Sequence, residues 1–141
     1  MSTTTAIPCA IDQLRREAQS LPELVDTTMA LAMYAKALVP NSKYVKEGER
    51  YVLRPDNFVT FTVRHKRSHH VTLTLRGFIG EFAIAPELAL KSGRANAYAE
   101  CNLSTPSGLA AAAAYIQRAC ELLKRGSRRT LKKPVKTEVA L

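Results

Sequence analysis

The chain has 141 residues, 46% of them hydrophobic and 23% charged, the length and composition of one soluble globular domain. That excludes wholesale disorder and a collagen-like repeat, and no apolar run reaches the ~20 residues needed to cross a bilayer. Against 12 Asp and Glu stand 21 Lys and Arg, a net charge of +9, so surplus positive charge is the feature that needs an explanation.

The first ten residues carry no Lys or Arg and lack the apolar core of a secretory signal. Cys9, Cys101 and Cys120 form no C-x-x-C pair, and an odd number at such wide spacing suits reduced thiols in a cytoplasmic protein. From Ala10 to Gln19, Ile11, Leu14 and Ala18 recur at helical spacing. Ser20 followed three residues later by Glu23 has the form of a capping box, with Pro22 tolerated in the first turn. From Leu21 to Val39 a 3.6-residue apolar stripe continues until Pro40. Residues 10–39 therefore read as a helical hairpin.

The middle reads as sheet, spanning 43–103. Lys43–Val45 and Arg50–Leu53 can pair about Glu47-Gly48. In residues 58–64, Val59, Phe61 and Val63 alternate with Thr60, Thr62 and Arg64. In 70–76, Val71, Leu73 and Leu75 alternate with His70, Thr72, Thr74 and Arg76. Such alternation, rich in Val and Thr, predicts an antiparallel pair with one buried and one solvated face. Short strands near Glu81–Ile84 and Leu88–Leu90, and a longer one over Ala95–Leu103, complete the set. A last helix over 105–125 starts with Ser104 or Thr105 as cap and Pro106 in its first turn, and Gly126 follows its end. The fold class is α+β: an antiparallel sheet of four to five strands, with the helical hairpin and the C-terminal helix packed on one face.

Residues 1–125 thus form the domain, and 126–141 a flexible basic tail too poor in apolar residues to fold alone. Lys124, Arg125, Arg128, Arg129, Lys132, Lys133 and Lys136 against Glu138 give residues 124–141 a charge of +6, leaving +3 for the rest. A flexible stretch of that length spans roughly 22 Å, and six neutralised phosphates would give a log–log salt slope of about −5.

The candidate interface joins this tail to the polar face of the hairpin. Its residues are Arg64, Lys66, Arg67, Arg76, Lys124, Arg125, Arg128, Arg129, Lys132 and Lys133. Cations release counterions from a phosphate backbone, and the Thr hydroxyls can donate to phosphate oxygens. Aromatic platforms for base stacking are scarce: there is no Trp, and of Phe58 and Phe61 at most Phe58 shares the threonine side. Adjacent His69 and His70 on a strand point to opposite faces and, with His65, make a poor metal set. Neither a nucleophile motif nor a phosphate-binding glycine loop occurs. No catalytic residue, metal or cofactor is expected.

Tyr51-Val52-Leu53-Arg54-Pro55, Asn57-Phe58-Val59-Thr60-Phe61, Val71–Gly77 and Tyr115-Ile116-Gln117-Arg118-Ala119 carry a resemblance. Over Tyr44–Gly126, under two thirds of the chain, they resemble uncharacterised bacterial α+β domains found at the ends of predicted restriction-associated or transport-labelled proteins. The resemblance implies a standalone bacterial accessory domain and brings no catalytic residues with it. Composition and pattern together predict a non-enzymatic protein that associates with DNA or RNA mainly through phosphates, without a membrane partner. The alternative is a regulatory module docking on a partner protein through its sheet edge or helical hairpin.

Overall fold

Alternating side chains and tight turns organise the chain into one antiparallel sheet. The computed structural model describes residues 9–66, 68–93 and 98–131, with backbone alone for 126–131. Its strands are β1 (Lys43–Glu47), β2 (Arg50–Arg54), β3 (Val59–Arg64), β4 (His70–Arg76), β5 (Lys91–Ser92) and β6 (Tyr98–Leu103). They lie in the order β1-β2-β3-β4-β6-β5, every neighbouring pair antiparallel. The sheet has six strands rather than four to five because β5, only two residues long, adds to the edge of β6. Gly48, at φ +66°, turns the two-residue loop between β1 and β2.

Three helices, α1 (Ala10–Ala18), α2 (Val25–Leu38) and α3 (Leu109–Leu131), lie on one face. Side chains on that face of the sheet tie them down. The Tyr44 hydroxyl donates to the Ala32 carbonyl on α2 at 2.7 Å, and the Tyr51 hydroxyl donates to Glu17 on α1 at 2.6 Å. Lys46 pairs with the same carboxylate at 3.1 Å. Beneath the helices, Tyr51, Leu53, Val59, Phe61, Val71, Leu73, Leu75, Ala99, Cys101 and Leu103 form the sheet's half of the core. Ala112, Ile116 and Ala119 supply part of the helices' half, all fully buried, and the small alanines let α3 lie close. At the corner between α2 and β1, Ser42 Oγ donates to Asp56 at 2.9 Å while Asp56 N–H donates back to that oxygen at 3.0 Å.

Several local expectations are corrected. Ser20 does not cap the second helix: its hydroxyl donates to the Glu17 carbonyl at 2.6 Å and closes the end of α1. Residues 21–24 form turns, and α2 begins at Val25. The segment Glu81–Ile84 is no strand. Instead Ile79–Glu81 is one 3-10 turn, held by Phe78 N–H donating to the Glu81 carboxylate and by Arg118 donating to the Glu81 carbonyl. Residues 88–90 hold only an isolated bridge between Ala85 and Leu88. Pro106–Gly108 forms a 3-10 turn before α3, and α3 runs through Gly126 to Leu131 instead of stopping at 125. The rest of the expected tail, 132–141, lies outside the described residues. No helix among the described residues is long and apolar enough to cross a membrane.

Candidate nucleic-acid interface

The three helices pack on one side of the sheet, and among the described residues no helix lies on the other face. Cross-strand register fixes which residues it carries. One row runs Val45, Val52, Thr60, Thr74, Glu100 and Lys91 across all six strands. The next runs Glu47, Arg50, Thr62, Thr72 and Asn102. Arg64 pairs with His70 at one end of the face, Arg76 with Tyr98 at the other, and Lys43 with Arg54 along β1.

The threonines do not form the solvated surface that alternation predicts. Thr60, Thr62 and Thr72 are only 7%, 4% and 5% exposed. No helix covers them. Thr60 stands in register between Val52, itself only 2% exposed, and Thr74, while Thr62 and Thr72 stand side by side between Arg50 and Asn102. Thr72 donates to Asn102 Oδ1 at 3.0 Å. Among the described residues the one fully buried side-chain oxygen without a partner is Thr28 Oγ1, on α2.

This face is cationic. Lys43, Arg50, Arg54, Arg64, Arg76 and Lys91 face Glu47 and Glu100. Arg54 is committed to Glu47 through two bonds of 2.8 and 2.9 Å, which hold the Glu47 carboxyl below the usual carboxylate range. The other five cations make no ion pair among the described residues. Two of them act on His70. Burial first, then the charges of Arg64 and Lys91, push its pKa below the ordinary value of 6.5.

The expected site residues divide between the two ends of the sheet. Arg64 ends β3, and exposed Lys66 follows it in the connector to β4. Together with Lys46, Glu17, Glu49 and His70 they line a cleft of about 600 Å³. Arg76, at the far end of β4, lies ~20 Å away by strand rise. Lys124 and Arg125 are exposed on α3. The helix passes Gly77, where Leu122 packs, so these two cations share the Arg76 end, on the helix side. Arg128 and Arg129 fall within the α3 backbone, and Arg67, Lys132 and Lys133 lie outside the described residues. The described residues thus place Arg64 and Lys66 at one end of the sheet and Arg76, Lys124 and Arg125 at the other.

Sequence reasoning missed Lys43, Arg50 and Lys91, which reach this face only through strand order and register. It also misplaced the aromatics. Phe58 is 1% exposed in the core, whereas Tyr98 on the open face is 39% exposed and Phe78, just past the end of β4, is 57% exposed.

Burial, and then the Glu100 charge, pushes the Cys101 thiol up to about 12, and burial likewise raises Cys120, so neither forms a thiolate at neutral pH. Among the described residues no three of His, Cys, Asp and Glu gather as a metal would need. Compared with known proteins, the chain matches no family model, no curated protein and no solved structure.

Proposed function

We propose that this is a non-enzymatic cytoplasmic protein, the standalone form of an accessory domain, that binds nucleic acid through its open sheet face. One observation carries the reading: Lys43, Arg50, Arg64, Arg76 and Lys91, with no ion pair among the described residues, share one face of the sheet with Thr60, Thr62, Thr72 and Thr74. Cations of this kind neutralise phosphates and release counterions, while the hydroxyls donate to phosphate oxygens. Such contacts give affinity with little choice of sequence. Lys66, Lys124 and Arg125 extend the field beyond the two ends of the face.

The test is a mobility-shift assay with DNA and RNA oligonucleotides at two salt concentrations. Full-length protein should bind at low salt and weaken steeply at high salt. In the Arg64→Gln/Arg76→Gln variant, each lost phosphate contact should reduce the salt slope by about 0.7–1. An unchanged slope with unchanged affinity overturns the assignment of the face.

A second reading, docking of a partner protein on the helical hairpin, is favoured by Met33. It is 54% exposed on α2 and lines a cleft with Ile11 of α1. Capture of one stoichiometric partner after nuclease treatment, lost in Met33→Glu, would select that reading.

A further inference from the structure

We infer that the nucleic acid on the open face is single-stranded, with an unpaired base stacked on Tyr98 beside Arg76; this rests on the proposed function and narrows it.

Size argues against a duplex groove. Six strands at ~4.8 Å spacing make a face ~24 Å wide. The major groove of B-DNA is about 12 Å wide and admits one helix or a two-stranded ribbon. A sheet of this width cannot enter it, and all three helices lie on the opposite side of the molecule. A duplex could touch the face only with its backbone. An extended single strand can instead lie across the face, with its phosphates on the cations and threonines and an unpaired base turned to Tyr98.

The Arg76 end supplies what such bases need. Tyr98 is the direct cross-strand partner of Arg76, which puts their Cβ atoms within ~5.5 Å. The tyrosine ring is 39% exposed on the open face, and neither side chain makes a hydrogen bond, ion pair or ring contact among the described residues. Every base has a π-face, so an exposed ring adjoining a cation holds a base while the cation takes its phosphate. Phe78, 57% exposed, follows Gly77 at the same end of the sheet and offers a second ring. Tyr98 thus stands beside Arg76 across the strands, and Phe78 follows two residues beyond it in the chain.

The experiment is fluorescence anisotropy with labelled single-stranded DNA, single-stranded RNA and the matching duplexes, using full-length protein. The single strands should bind more tightly than the duplexes. Tyr98→Ala should weaken single-strand binding ~10-fold, the factor expected for one lost stacking contact, and Tyr98→Phe, which keeps the ring, should restore it. Phe78→Ala, at an exposed residue outside the strands, should lose several-fold. Equal affinity for duplex and single strand, with Tyr98→Ala unchanged, overturns the stacking site and leaves the phosphate interface standing. Failure to bind any of the four probes at low salt removes both.

Discussion

His70 opens β4, partly buried and paired in register with Arg64. With its folded pKa held below 6.5 by burial, Arg64 and Lys91, an NMR titration of Arg64→Gln should move that pKa back toward 6.5. A bound polyanion should move it the same way, because it neutralises the same field. The sign for stability follows. As pH falls through 6.5 the unfolded chain takes up the proton before the folded one, so this residue's contribution is complete above 6.5 and is lost as pH drops through the folded value. His70→Gln should therefore flatten the acid limb of stability against pH. Gly77 is the residue whose backbone leaves no choice. It sits at φ +129°, and a Cβ there would lie 2.5 Å from Leu122 Cδ1 and 3.1 Å from the Phe82 ring. Gly77→Ala should cost about 1–3 kcal/mol from backbone strain alone, with the clash against α3 adding to it, read as a lowered urea midpoint.

Among the elements, the β3–β4 hairpin was the most legible in sequence, since Val59, Phe61, Val63, Val71, Leu73 and Leu75 all point to the helices as alternation requires. The helix ends were harder to read, because a capping residue can serve either neighbour: Ser20 bonds back to α1, not forward to α2. Gly126 marks no boundary, since one glycine lowers helix propensity by only about 1 kcal/mol against Ala and flanking residues can carry it. The segment between β4 and β5 was not legible at all, because a side chain 27 residues away holds it. The Tyr115 hydroxyl donates to the Leu88 carbonyl at 2.6 Å and accepts from Ala85 N–H at 2.9 Å. Tyr115→Phe leaves both groups without this partner and should destabilise by about 1–3 kcal/mol, measured by chemical denaturation. It should leave nucleic-acid affinity unchanged, because the ring lies on the helix side of the sheet.

For the whole molecule, the sequence pointed to the tail as the seat of positive charge, since seven of the 21 cations fall in residues 124–141. The fold adds a second set. Arg50, Lys43 and Lys91 come from three strands, and the strand order β1-β2-β3-β4-β6-β5 gathers them with Arg64 and Arg76 on one face. No local pattern encodes that gathering, because it depends on pairings between residues up to tens of positions apart. Tyr98 was overlooked for the same reason: its place beside Arg76 is a matter of register with β4. The most direct measurement is a methyl-resolved NMR titration of the full chain with a single-stranded oligonucleotide. The account predicts that Thr60, Thr62, Thr72 and Thr74 shift together while Leu14, Leu31 and Ile116, beneath the helices, stay in place. Shifts confined to the helix side, with the four threonines unmoved, would contradict it.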